Sequence, residues 1–255
     1  MERFCKNKYL KNLNKIEFVV TDACNGRCKH CSEGEHSQSG ARIDPEAAAD
    51  AVRKIAELYD IRTVMTFGGE PLLHTDAVEA IITAAREMMI PQRQLITNGC
   101  FSNDPHKVRA IVSRLAECGV NDLLLSVDSF HQQTLPLDVA RTFALEVKAH
   151  GIPIKLSPAW LVSEEDFNPY NLETRKILDS LRDTGIPVGK GNVIFPEGNA
   201  LVYLSEYFTD ELPENPYVED PCDVRCISFS ANGDVLGKNL YRDGILKILR
   251  GYAPK

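Results

Sequence analysis

The chain has 255 residues, 44% of them hydrophobic and 25% charged, enough apolar material for one large α/β domain or two smaller ones. Thirty-six acidic against 29 basic side chains leave a formal charge of -7, which disfavours a nucleic-acid backbone as bulk partner. No apolar run is long enough to span a bilayer, and the charged stretch 1–10 is no secretion signal, so the cytoplasm is expected and no membrane partner is.

That compartment keeps thiols reduced, so the eight cysteines need a use other than disulfides. Cys24, Cys28 and Cys31 sit together, Cys222 and Cys226 pair near the end, and Cys5, Cys100 and Cys118 stand alone.

Residues 16–21 (IEFVVT) are short, apolar and partly β-branched, which predicts a buried strand; the polar loop with the cysteine triplet follows. Asp44 before Pro45 reads as a helix N-cap, and Ala48, Val52, Ile55 and Tyr59 put one apolar stripe on that helix. A second strand, 63–67 (TVMTF), runs into Gly68-Gly69-Glu70-Pro71, and Val78, Ile82, Ala85 and Met89 mark the next helix. Leu95 and Ile96 form a third strand ending at Thr97-Asn98-Gly99. Asp104-Pro105 opens a helix lined by Val108, Ile111, Leu115 and Cys118 and closed by Gly119. The fourth strand is 123–127 (LLLSV), with Asp128-Ser129 beyond it, and a helix around Phe143 and Val147 ends at Gly151. Gly151-Ile152-Pro153-Ile154 opens a fifth strand and the near-copy Gly185-Ile186-Pro187-Val188 a sixth, with a helix carrying Ile177, Leu178 and Leu181 between them.

Six such units predict an α/β fold, a partial (β/α)6 TIM-like barrel with a parallel sheet and a short C-terminal extension. The expected organisation is an N-terminal segment 1–15, the barrel 16–208, an acidic proline-rich linker 209–221 and an extension 222–255 packed on the barrel.

Cys24-x-x-x-Cys28-x-x-Cys31 can wrap three corners of a cubane cluster, whereas electron-carrying clusters ordinarily use four cysteines. A missing fourth sulfur leaves one iron open to an external chelate. Zinc is the alternative, with His30 or His36 as fourth ligand, and the triplet alone leaves both open. Gly68-Gly69 at a strand end lets a ligand approach the backbone, whose carbonyls can accept from an ammonium group, and Glu70 can hold the loop or the ammonium.

With the two motifs in this order and one strand apart, the chain resembles the radical S-adenosylmethionine superfamily over residues 16 to about 200, matching its CxxxCxxC loop at 24–31 and its GGE motif at 68–70. The resemblance implies a [4Fe–4S] cluster on Cys24, Cys28 and Cys31, and S-adenosyl-L-methionine chelated to the open iron with its amino group at Gly68, Gly69 and Glu70. It implies His30 near the adenine, Ser126 and Asn98 as cofactor contacts, and Arg141 as a further carboxylate partner or else a solvated side chain. It further implies an external electron donor of flavodoxin or ferredoxin type that charges the cluster, and a 5′-deoxyadenosyl radical that abstracts hydrogen from substrate.

Substrate candidates are Asp128 and His131 beyond the fourth strand, which also read as a helix cap and a surface histidine, and Trp160, which walls the pocket or fills core. Residues 195–200 (FPEGNA) and 227–235 (ISFSANGDV) resemble the start of the SPASM or Twitch extension of peptide-modifying members. No cysteine follows the Gly-Asp-Val turn, so Cys222 and Cys226 read as a remnant of an auxiliary site, ahead of a partial site completed by other residues or plain thiols. The leading expectation is modification of a peptide or protein side chain; the alternatives are a small-molecule metabolite and a non-catalytic iron–sulfur or zinc protein.

Overall fold

The computed structural model describes residues 7–208 and 215–254; Cys5 and residues 209–214 of the expected linker lie outside them. Five parallel strands, β1 Lys15–Val19, β2 Thr63–Phe67, β3 Gln92–Thr97, β4 Asp122–Ser126 and β5 Ile154–Ser157, pair in sequence order. Helices α1 Pro45–Ala56, α2 Thr75–Glu87, α3 Pro105–Cys118 and α5 Leu137–Ala149 connect them, with a single turn, α4 Ser129–Gln132, ahead of α5. The Asp44 and Asp104 carboxylates accept from the N–H groups of Ala47 and His106, each with proline in the first helical position.

The helical stripes face the sheet. Ala48, Val52 and Ile55 of α1 and Val78, Ile82 and Ala85 of α2 are fully buried, and each large aliphatic side chain removed from water contributes ~1.5–3 kcal/mol. Met89 departs from its expected stripe. Helix α2 stops at Glu87, and Met89 sits beyond it with φ 56° and 85% exposed, because the chain has already turned toward β3.

The sixth strand is broken. Val188 makes one parallel bridge to Leu156, the chain bulges through Gly189-Lys190-Gly191, and pairing resumes between β6 Ala159–Trp160 and β7 Asn192–Val193. Pro158, between β5 and β6, has no N–H to donate, which interrupts the ladder at that level. Helix α6 Pro169–Ser180 fills the connection as expected, and a short helix, α7 Asn199–Tyr203, follows β7.

The sheet gains a strand from the chain's end. β8 Cys226–Phe229 pairs in parallel with β1 on the side away from β2, giving the order β5-β4-β3-β2-β1-β8. Its burial alternates, with Ile227 and Phe229 inside, and the Phe229 ring stacks on Phe18 at 4.6 Å between centroids. A short hairpin, β9 Asp234–Val235 and β10 Lys238–Asn239, and helices α8 Leu240–Asp243 and α9 Ile245–Gly251 complete the described chain. Among the described residues, no helix is long and apolar enough to cross a membrane.

Parallel pairing brings the loops after β1 to β4 to one edge of the sheet. That edge carries both motifs. Since Phe229 is the side chain through which β8 grips β1, Phe229→Ala is expected to cost about 3–5 kcal/mol of unfolding free energy in urea titration, and an unchanged midpoint would show that β8 does not support the sheet.

Candidate functional site

The loop after β1 carries the cysteines and is anchored at its base, where Thr21 Oγ1 donates to the Ala41 carbonyl (2.9 Å) and accepts from the Ala23 N–H (3.1 Å). Farther out, a Cβ on Gly26 would lie 3.5 Å from Cys28 Sγ and 3.6 Å from Cys24 Sγ, so the two sulfurs flank this glycine. Cys31 Sγ lies 3.2 Å from His36 Nε2, whose ring is held by Nδ1 at 2.8 Å from the Asp22 carbonyl. All three cysteines line one cavity of about 130 Å³, together with Gly68, Gly69 and Asn98.

Burial, reinforced by neighbouring negative charge, pushes the Cys24 thiol up to about 11 and the Cys28 thiol higher still. Thiolates in such a place need a cation, and three soft sulfur donors suit an iron–sulfur centre. His30 supports a bound group as well, since its Nδ1 is buried with no hydrogen-bond partner among the described residues. A second grouping overlaps the first: the ligand atoms of Cys28, His30 and His131 lie within 4.8 Å of one another, a set that zinc could also use.

The GGE loop after β2 is the platform under the cysteines. Gly69 N–H donates to the Thr21 carbonyl (2.7 Å) and Glu70 N–H to the Ala23 carbonyl (2.8 Å). A Cβ at Gly69 would stand 2.1 Å from the Ala23 oxygen, so only glycine allows this approach. The Glu70 carboxylate is fully buried and accepts from Leu72 N–H (2.9 Å), the Thr97 hydroxyl (2.6 Å) and Asn98 N–H (2.8 Å). Through these bonds Glu70 ties its own loop to the end of β3.

At the end of β3, Asn98 Oδ1 accepts from Cys100 N–H, and its Nδ2 donates to Asn25 Oδ1 at 3.0 Å while lying 4.0 Å from Cys24 Sγ. Asn25 in turn donates to the Cys100 carbonyl at 2.7 Å. Ser126, at the end of β4, lines the cavity, and its hydroxyl makes no hydrogen bond among the described residues.

Residues 18–200 match the family model of the Radical SAM superfamily. The chain belongs to that superfamily. Its curated relatives include a GTP 3',8-cyclase of Desulforamulus reducens, 25% identical over 203 residues, which are 73% of this chain and 59% of that one. A GTP 3',8-cyclase of Clostridium botulinum is 25% identical over 205 residues, covering 75% of this chain and 62% of that one. The chain thus spans about three-fifths of the length of these relatives. Among solved structures, Streptococcus suis SuiB bound to S-adenosylmethionine superposes with a TM-score of 0.56 at 14% identity, covering 91% of this chain and 61% of that one. At that identity the likeness is one of fold.

In this radical SAM chain the loop after β4 is organised by Asp128. Its buried carboxylate caps α4 through the N–H groups of Phe130 and His131, accepts from the Ala159 N–H (3.0 Å), and holds His131 Nδ1 at 2.8 Å. Burial alone would raise the Asp128 carboxyl, but the adjoining His131 and the hydrogen bonds outweigh it and hold the group well below the usual carboxylate range. Asp128 is thus the cap, while His131 is no surface residue: it lines the cavity with its ring 4.8 Å from His30. His30 also packs on Phe130 at 4.9 Å, and burial lowers its pKa to about 4, so the ring is neutral.

Two expected residues lie elsewhere. Arg141, on the outward side of α5, pairs with Asp183 and donates to the Ser180 carbonyl. Trp160 is 4% exposed in the main core, donating to the Lys190 carbonyl with Arg175 over its ring. Sequence reading missed Thr97 and Asn25, ordinary residue types whose roles exist only through partners tens of residues away.

Gly69→Ala is expected to lower the unfolding free energy of the metal-free protein by about 1–3 kcal/mol in denaturant titration. Gly251→Ala, where a Cβ meets nothing within 4 Å, is expected to leave it unchanged, and equal effects would refute the platform.

Proposed function

We propose that this protein is a radical enzyme that holds a [4Fe–4S] cluster on Cys24, Cys28 and Cys31 and cleaves S-adenosyl-L-methionine reductively. The observation that carries the reading is the meeting of three sulfurs and the GGE loop on one cavity at the edge where the parallel strands end. When bound and reduced, the cluster supplies the electron that splits the sulfonium into methionine and a 5′-deoxyadenosyl radical. The chain's own residues bind and orient. The backbone at Gly68 and Gly69 lines the space offered to the methionine end, the Ser126 hydroxyl and Asn98 amide offer polar contacts, and His30 with its Phe130 neighbour gives the nucleoside a surface that sheds water. An external donor of flavodoxin or ferredoxin type, in the cytoplasm, completes the proposal.

For the substrate, the preferred reading is a peptide or protein side chain. It rests on the SPASM- or Twitch-like stretches at 195–200 and 227–235. A small-molecule substrate is favoured instead by the relatives named GTP 3',8-cyclase.

Anaerobic reconstitution with iron and sulfide, followed by reductant and S-adenosylmethionine, is expected to yield 5′-deoxyadenosine, and Cys28→Ala to lower the yield at least about 100-fold. Tight zinc in place of iron, with no nucleoside released, would return the protein to the non-catalytic class. Mass analysis of GTP and of peptides encoded beside the protein, each incubated with the active enzyme, separates the substrate readings.

A further inference from the structure

The stretch after β7 reaches back over the top of the sheet to the cysteine loop. Gly198 turns there with φ 53°, and a Cβ on it would lie 2.3 Å from the Ser32 carbonyl oxygen and 2.6 Å from that of Cys31. The next residue, Asn199, is 7% exposed and makes two hydrogen bonds to the loop. Its backbone N–H donates to the Cys31 carbonyl at 2.9 Å and its side-chain Nδ2 to the Cys28 carbonyl at 3.0 Å. Ala200 follows, fully buried, in a small apolar cluster that contains Cys28 and Phe130.

We propose that Asn199 is the positioning residue that sets the second half of the cluster-binding loop, holding Cys28 and Cys31 at the separation their ligand role requires. The proposal rests on the reading of these cysteines as cluster ligands, but its physical content concerns the backbone and is testable without metal. The two carbonyls it holds belong to the second and third sulfur-bearing residues. Cys31 N–H also donates to the Cys28 carbonyl (3.2 Å), so the two cysteines and Asn199 form one small hydrogen-bonded unit. Asn199 belongs to the stretch after the last barrel strand, whereas the loop follows the first, so this contact fastens the two ends of an open barrel to each other. An isosteric carboxylate at 199 would face the Cys28 carbonyl with a lone pair in place of an N–H, in a site without solvent to relieve it.

The test compares wild type, Asn199→Asp and Asn199→Ala as metal-free full-length protein, alkylated under native conditions and read cysteine by cysteine by mass spectrometry. Cys100 and Cys118, buried like Cys28 but outside the unit, serve as internal references, each rate being compared with the same cysteine's rate in wild type. The expected result is about a tenfold or greater rise in the labelling rates of Cys28 and Cys31 in both variants, with Cys100 and Cys118 unchanged. Unchanged rates at Cys28 and Cys31 would overturn the proposal, and so would a rise shared equally by all four, which would mark Asn199 as a general stability residue. After reconstitution, both variants are expected to lose their visible charge-transfer absorption to a chelator about tenfold faster than wild type. Should wild type itself take up no cluster, the proposed function fails while the alkylation result still stands or falls separately.

Discussion

A buried carboxylate sets the geometry of the functional edge. Taking an ionised acid out of water costs several kcal/mol unless its lone pairs are filled, and Glu70 has no solvent exposure. Burial raises its pKa above the ordinary value, against the pull of its three donors. Those donors, Leu72, Thr97 and Asn98, come from the loop after β2 and from the end of β3. Each must stay in place for the acid to remain buried, so the two strand ends are fixed relative to each other. The same residue's N–H and that of Gly69 reach the carbonyls of Ala23 and Thr21. The height of the cysteine loop above the sheet follows from there. The motif glutamate thus acts on the site through the backbone it arranges.

Asp128 repeats the device at the ends of β4 and β5. It joins α4, His131 and the Ala159 N–H in one buried unit. Between these two acids lie the groups that can meet a ligand: three sulfurs, the glycine backbone, the Ser126 hydroxyl and the His30 and His131 rings. Those groups carry little of the structural cost themselves. A site of this design presents its ligand-meeting groups on a floor that the two buried acids hold rigid.

Where a physical rule acts over a few residues, the sequence could be read closely. β2 falls on 63–67 as expected, and the Asp-Pro caps open α1 and α3 at Pro45 and Pro105. The cysteine triplet and GGE were legible because their spacing carries chemistry whatever surrounds them. Legibility ended where partners are distant. Arg141 on a helix has the same local signature whether it faces a ligand or Asp183, and Trp160 the same whether it walls a cavity or fills a core. β8 escaped because Cys226–Phe229 is four residues long, too short for alternation to stand out, and its place beside β1 is chosen by the fit of Phe229 on Phe18. The broken sixth strand shows the converse: Gly185-Ile186-Pro187-Val188 copies the opening of β5, yet only Val188 pairs with it.

The position of β8 also bears on the second pair of cysteines. Its register sets Cys226 beside Lys15, at the N-terminal end of β1, whereas the cysteine triplet follows the C-terminal end. A five-residue strand separates the two levels, roughly 13 Å at about 3.3 Å per residue. Cys222 is exposed, and burial together with the nearby Glu17 charge keeps the Cys226 thiol protonated, its pKa far above the usual value. Among the described residues, no trio of histidine, cysteine, aspartate or glutamate gathers around this pair. What the tail gives the site is mechanical: it braces β1 from the side opposite β2, and β1 delivers the cysteine loop. That brace does not depend on the sulfurs of Cys222 and Cys226, because it is made by the stacking of Phe229 on Phe18 and by the ladder between β8 and β1.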